Sequence, residues 1–521
     1  MKEVKKYLIL TLILIALSSL IRFVIADNTG LGIGESYYFK GAKLLQLSYF
    51  DQPPLFFWIS GLSIRIFGYT TLALRLPAIL FFTGTLWFLY RITSYFFGEK
   101  AGFFAVILLN ICFVFTIPIA CWFQPDAPLM FFWLACTWCI LQLLFPKRIL
   151  SKKKENILWV LIGISLGLTI LSKYHAIFLP MGVFIFILLN KEYRKYLKQP
   201  GPYFALIISL LFTLPVIIWN SQHEWVSFIF QGSRAGSYEL KIHPEWLARS
   251  ILGQSLWLAP WIWIPLIIQL FKSYKAGKDM PVFSLLFWIA VLPIGFFTLV
   301  TLWSNMDFHF HWQAPGYMVL FIVLGKHTAE RWNEHIRTRI WLYCSGIITV
   351  AIGSILIFHM NHGILDTVFD RMIENTEMSY DPTIDGIDYI EIYDRFEAEG
   401  WNEDDSLFIG ATTWWQIGKT DWALKGKKDA LVFTGDPRNY AYFVDPVSLL
   451  GFDAIVITRD SDKKITENIV PFFAKITQLE NIDISRNGKV HLSLKVFYCD
   501  CFQIPVEAIS RFPVYRQLTD R

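Results

Sequence analysis

A few ionisable side chains stand at the ends of long apolar runs, where a charge is expensive and points first to function. Glu35 follows Gly32 and Gly34 in NTGLGIGESYYF, beside Tyr37 and Tyr38. Asp51 and Gln52 precede two prolines in YFDQPPLFFW, and Asp126 is the one charge in CWFQPDAPLMFFW. Lys173, Tyr174 and His175 fall together in LSKYHAIFLP. The stretch 218–250 adds His223, Glu224, Arg234, His243 and Arg249, and 303–317 adds Asp307, His309 and His311. Each residue has a plain reading: a first-turn acid for Glu35, an N-cap for Asp126, turn chemistry for Asp51 and Gln52, snorkelling for Lys173. Together they describe a different chemistry. A carboxylate (Glu35, Asp126) can accept the proton of an attacking hydroxyl, while an ammonium (Lys173) and a guanidinium (Arg249) can hold a phosphate. Tyr37, Tyr38, Asp51, Gln52, Tyr174, His175, His223 and His311 would line the substrate cavity. Alternating His309 and His311 suit a metal, but no third ligand is fixed. No metal site is therefore assigned, and a divalent cation stays open as a cofactor.

The elements that must position these groups are membrane helices. The chain has 521 residues, of which 55% are hydrophobic and 17% charged, with a net charge of +5. This composition excludes a disordered chain, a coiled coil and an ordinary cytosolic enzyme. Its basic residues lie in short scattered runs, which argues against nucleic acid as a partner. Apolar runs after the N-terminal MKEVKK and at 72–97, 101–117, 127–146, 156–172, 176–190, 202–220, 249–271, 281–303, 313–325 and 338–358 give about eleven spans. The loops KRILSKKKEN, KEYRKYLKQ, FKSYKAGK and KHTAERWNEHIRTR carry the Lys and Arg, so they face the cytoplasm together with the N-terminus. The candidate residues then all fall at outer ends. Two amphipathic stretches in the first outer loop, about 35–47 and 54–67, suit interfacial helices.

From about 360 the character changes. SLFIGA, ALVFTG and AIVITR read as strands, and 387–400 and 464–476 as helices, which predicts a small extracytoplasmic α/β domain at 360–521 behind a membrane domain at 1–359. The seven cysteines show no zinc spacing.

In the order GESYYF, YFDQPPLFFW, RLPAIL, QPDAPLMFFW, LSKYHAIFLP, IWNSQHEWVSF and HWQAPGY, the chain resembles the bacterial protein O-mannosyltransferase-like (PMT/ArnT-like) family of GT-C glycosyltransferases. The resemblance covers roughly residues 30–320. It implies a polytopic enzyme of the bacterial cytoplasmic membrane. Such an enzyme takes a polyprenyl-phosphate sugar as donor and passes the sugar, with inversion, to a lipid, glycan or protein acceptor on the outer face. The family's first-loop motif is Asp-Glu; here Gly34 stands in place of the Asp, and Glu35 is kept. The resemblance implies catalytic roles for Glu35 and Asp126 and a donor-phosphate role for Lys173. A non-catalytic polyprenyl-lipid flippase is the alternative. It would spread polar groups through the membrane depth, whereas here they gather at one face. On this reading Glu35 and Asp126 lie outside any apolar core, so replacing either by Ala would stop transfer and leave the protein folded.

Overall fold

The computed structural model describes residues 2–236, 241–304, 311–375, 380–459, 465 and 467–505. Asp307 and His309 lie outside the described residues. Helices dominate: α1 (Lys2–Asp27), α2 (Ile33–Lys43), α3 (Leu55–Phe67), α4 (Thr71–Phe97), α5 (Glu99–Asn110), α6 (Asp126–Leu144), α7 (Lys152–Ser172), α8 (Phe178–Leu189), α9 (Pro200–Gln222), α10 (Val226–Ala235), α11 (Pro244–Leu258), α12 (Pro260–Ala276), α13 (Pro281–Leu299), α14 (Ala314–Arg331), α15 (Ile336–His362), α16 (Asp366–Asn375), α17 (Ile390–Ala398) and α18 (Trp414–Ala423). Five strands follow α17 in part: β1 (Leu407–Ala411), β2 (Ala430–Val432), β3 (Asp453–Thr458), β4 (Phe473–Arg486) and β5 (Lys489–Phe502).

Two compact units emerge, each discontinuous in sequence. The first joins Met1–Val24, Leu47–Phe56 and Arg75–Gly353; the second joins Ile25–Gln46, Phe57–Leu74 and Ser354–Arg521.

In the first unit, backbone polar groups must be satisfied within each spanning segment, which makes helices the available solution. Among the described residues, 7 helices are long and apolar enough to cross a membrane, or up to 9 if two bent pairs each count as one span. The sequence suggests about eleven. Two apolar runs account for the difference. The 101–117 run breaks at Asn110 and resumes as a π turn over Phe115–Ile119 that contains Pro118. The 313–325 run forms α14, whose last turns carry Lys326, Glu330 and Arg331. The run at 249–271 bends by 111° between α11 and α12, where Ala259 has φ 66 and Pro260 starts the next helix. Proline also opens α9, α11 and α13, where its missing N–H costs nothing. Small residues let the helices approach closely. A Cβ on Gly325 of α14 would lie 2.7 Å from the Ala101 carbonyl oxygen of α5, and one on Gly182 of α8 would lie 2.8 Å from the Ile289 Cα of α13.

In the second unit, the sheet order is β2-β1-β3-β5-β4. β2, β1 and β3 are parallel, and β5 runs antiparallel to both β3 and β4. β1 is buried at every position, as an apolar run in a parallel sheet should be. The three anticipated strands are present. The helical reading of 464–476 fails at its end, because Phe473 begins β4. β4 and β5 pair through a turn at Asn487 (φ 50) and Gly488 (φ 77), both in the left-handed region that an Asn-Gly hairpin turn requires.

Candidate functional site

In the first unit the site is built around Asp126 and Lys173. Asp126 is the first residue of α6, and its carboxylate does not cap the helix. It accepts instead from the Lys173 ammonium, with Nζ 3.0 Å from Oδ1 and 3.1 Å from Oδ2. Lys173 ends α7 in an extended conformation (φ −161, ψ 143), so the chain leaves the helix there and turns into the short 3-10 segment Tyr174–Ile177. Asp126 is 1% exposed and Lys173 4%, so each charge relies on the other in place of water.

Further polar groups collect beside this pair. The Arg234 charge, from α10, acts on both Lys173 and His175. Its guanidinium lies 5.0 Å from the Trp312 ring, a cation–π contact, and the His175 ring lies 5.6 Å from the same tryptophan. The His175 ring also lies 4.4 Å from Phe297. α10 ties in the first-loop segment: Ser227 Oγ donates to the Tyr49 carbonyl at 3.0 Å, and Gln231 Nε2 to the Asp51 carbonyl at 2.7 Å. The buried Asp51 carboxylate acts electrostatically on Tyr174. Among the described residues, His175 Nδ1 is buried with no hydrogen-bond partner, while the buried Tyr174 hydroxyl lies within reach of the Ser227 and Ser48 side chains. Orphaned buried polar atoms are rare and call for an explanation, and a polar ligand would supply partners.

Glu35 belongs to the second unit. It is 2% exposed and sits at the third position of α2, where Oε2 accepts from the Gly32 N–H at 3.0 Å. This is a capping contact for the helix start. α2 is fastened to the C-terminal chain by lysines. Lys40 Nζ donates to Asp421 Oδ1 at 3.2 Å and to the Lys428 carbonyl at 2.9 Å, while Lys43 Nζ donates to the Lys425 carbonyl at 3.1 Å. Lys419 Nζ donates to the Leu31 carbonyl at 2.6 Å and to the Ile387 carbonyl at 2.7 Å. Burial lowers the Lys419 pKa to about 8 against the pull of Asp388, Asp385 and Glu35. Burial likewise raises the Asp421 carboxyl, opposed by Lys40.

His359, Asp366 and Asp381, also in the second unit, are the group among the described residues that is close enough to share a cation. Most of their lone pairs are already engaged, and His491 Nε2 faces the remaining Asp366 oxygen at 3.3 Å. Arg486 Nη2 donates to Asp381 Oδ2 at 2.7 Å and to Asp366. His359 Nδ1 accepts from the Leu365 N–H at 3.0 Å, which leaves Nε2 to donate to Asp381 at 3.0 Å. It is an ion-pair network in which a metal ion would have to compete with Arg486.

Residues 51–219 match the family model described as "Dolichyl-phosphate-mannose-protein mannosyltransferase". An undecaprenyl phosphate-alpha-4-amino-4-deoxy-L-arabinose arabinosyl transferase from Serratia proteamaculans is 25% identical over 269 residues, which cover 49% of this chain and 46% of that protein. The chain spans about half the length of that relative. The crystal structure of ArnT from Cupriavidus metallidurans in the apo state superposes with a TM-score of 0.63 at 14% identity, over 95% of this chain and 98% of that one. The same protein bound to undecaprenyl phosphate gives 0.61 over 94% and 97%. The chain has the fold of ArnT.

Within this GT-C fold the anticipated residues separate. Asp51, Asp126, Lys173, Tyr174 and His175 gather in the first unit; Glu35, Tyr37 and Tyr38 belong to the second. Tyr37 is a core residue there, 1% exposed and edge-on to Trp414, with its hydroxyl accepting from the Asn439 N–H at 3.2 Å. Tyr38 packs edge-on against Phe57. His223 stacks on Trp219 at 4.0 Å and caps the end of α9 through the Trp219 carbonyl. Gln52 is half-buried, as is His311, whose ring lies 6.4 Å from Trp312. Arg249 is exposed on α11, and Arg234 is the guanidinium that lies with Lys173 and His175. Arg22 was missed, although it is the one charge inside the apolar run of α1. It is 2% exposed, and its Nη2 donates to Asn110 Oδ1 at 2.6 Å while Nε donates to the Thr116 carbonyl at 3.3 Å. It thereby satisfies backbone freed by the break after α5.

Proposed function

We propose that this GT-C protein is a membrane glycosyltransferase that moves a sugar from a polyprenyl-phosphate donor to an acceptor on the outer face of the cytoplasmic membrane. The buried Asp126–Lys173 pair, with Arg234 and the orphaned His175 Nδ1 beside it, is the observation that carries the reading. The acceptor hydroxyl attacks the anomeric carbon, the bond from that carbon to the phosphate oxygen breaks, and polyprenyl phosphate leaves. Lys173 and Arg234 are suited to holding the departing phosphate, Lys173 as a point charge and Arg234 by its planar fork. Arg249 is assigned a secondary electrostatic role toward the same phosphate from its exposed position. A carboxylate takes the hydroxyl proton, and Asp126 and Glu35 are the two assigned to that role, with inversion at the sugar.

The aminoarabinose transferases among the relatives make an aminoarabinose-type sugar on undecaprenyl phosphate the first donor to try. Lipid A, another lipid, a glycan and a protein are the acceptor classes to compare. Mass spectrometry of envelope lipids and surface glycans, from cells with and without the gene, tests the reading. A sugar addition that disappears with the gene is expected. Identical profiles, together with altered sidedness of the polyprenyl lipid, would favour a flippase.

A further inference from the structure

A second feature of the first unit has no part in the chemistry above. A groove of about 780 Å³ runs between α1, α5, the end of α14 and α15, and none of the Asp126–Lys173 cluster lines it. Its walls are apolar over most of their length, with Leu10 from α1, Phe104 and Ile107 from α5, and Leu342 and Ile347 from α15. Its floor is open at Gly346. A Cβ there would meet one neighbour, Ile111 Cγ2, at 3.8 Å, so the gap above α15 is unfilled.

The two ends of the groove differ. At one end stand Lys6, Tyr7, Trp332 and Tyr343. The Lys6 ammonium lies 5.9 Å from the Tyr7 ring, and the Trp332 and Tyr343 rings are 5.9 Å apart. A cation among Trp and Tyr rings is the signature of a bilayer interface. The other end, reached along α15 to Val350 and Ala351, is apolar. From Tyr343 to Ala351 the helix rises about 12 Å, a length that takes the upper part of an acyl chain. Both Lys5 and Lys6 are exposed at the charged end.

We propose that this groove binds one anionic phospholipid, its headgroup at Lys6 and an acyl chain along α5 and α15. Charge decides the occupant. The apolar walls accept any acyl chain, but basic pockets between membrane helices favour anionic headgroups over zwitterionic ones.

Native mass spectrometry of the full chain in detergent tests this, with phosphatidylglycerol and phosphatidylcholine of matched chains offered at equal concentration. One phosphatidylglycerol is expected to stay bound with about fivefold preference, the increment one lysine supplies near an anionic group. Lys6→Glu should abolish the preference while both lipids still bind. Gly346→Trp should lower the occupancy of both lipids alike. Equal occupancy of the two lipids on the unmodified chain would overturn the proposal. So would phosphatidylglycerol binding that Lys6→Glu leaves unchanged; that variant touches an exposed side chain and tests the claim even where Gly346→Trp fails to fold.

Discussion

Replacing Asp126 by Asn strips the Lys173 ammonium of its carboxylate and leaves a cation that is 4% exposed. At the observed 3.0 Å the pair attraction is about 5 kcal/mol with an effective dielectric of 20. Breaking a buried pair by removing one partner typically costs about 3–5 kcal/mol. Asp126→Asn should therefore lower the melting temperature of the purified protein by roughly 5 °C, followed by tryptophan fluorescence in detergent. The double variant Asp126→Asn/Lys173→Met removes both charges and keeps the side-chain volume, so it should regain most of the loss, since apolar replacement of a buried pair is often neutral. The double variant should still bind undecaprenyl phosphate more weakly than the unmodified protein, because Lys173 is gone and Arg234 is left to hold the phosphate. This result would separate the pair's structural role from its role toward the donor. An Asp126→Asn protein melting within about 1 °C of the unmodified one would refute the burial argument. A double variant melting as low as the single would refute the pairing argument. The sequence alone suggests that Asp126 can be exchanged with little loss of fold; its burial and its bond to Lys173 reverse that expectation.

Glu35→Ala removes the acceptor for the Gly32 N–H and should destabilise the second unit by about 0.5–2 kcal/mol, whereas Glu35→Gln keeps a neutral acceptor and should melt close to the unmodified protein. Lost transfer in the Gln variant then reports the carboxylate's chemistry, and full transfer would remove Glu35 from it. Lys419 is held at about 8 when folded against 10.5 otherwise, so between those values the unfolded chain binds the extra proton and stability rises with pH. Below about 8 the burial penalty is fully present, and Lys419→Met should flatten the rise; an equal slope in both proteins counts against a buried charge. Because Arg486 closes the His359–Asp366–Asp381 network, EDTA should leave the melting temperature unchanged. A fall reversed by a divalent cation would make the network a metal site. Cys501 is exposed on β5, so an impermeant maleimide should label it in intact spheroplasts. Labelling only after lysis would invert the topology.

Much of the architecture was legible because the signals were local. β1, β2 and β3 begin and end within a residue or a few of the apolar runs that announced them. The site was legible in part. Asp126, Lys173 and His175 stood out as charges beside apolar runs, but nothing in their spacing of 47 residues says that Asp126 and Lys173 bond to each other. In sequence Arg234 is one of several charges in the stretch 218–250, and its place beside Trp312 depends on how α10 packs. The same holds for α2. Its amphipathic pattern suits a membrane interface, yet Lys40 and Lys43 reach partners nearly 400 residues away, at Asp421 and Lys425. Long-range pairing of this kind leaves no periodic trace. The β4–β5 hairpin is the opposite case. Asn487-Gly488 between alternating residues is a strong local signal of a hairpin.

The central claim is that this chain breaks the bond between a sugar and a polyprenyl phosphate. The direct measurement uses the purified full chain in lipid vesicles with a radiolabelled undecaprenyl-phosphate sugar and an extract of envelope acceptors. Labelled acceptor and free undecaprenyl phosphate are expected in equal amounts, both absent with the folded Asp126→Asn/Lys173→Met variant. Donor that crosses the vesicle membrane with its sugar still attached, and no free undecaprenyl phosphate, would contradict it.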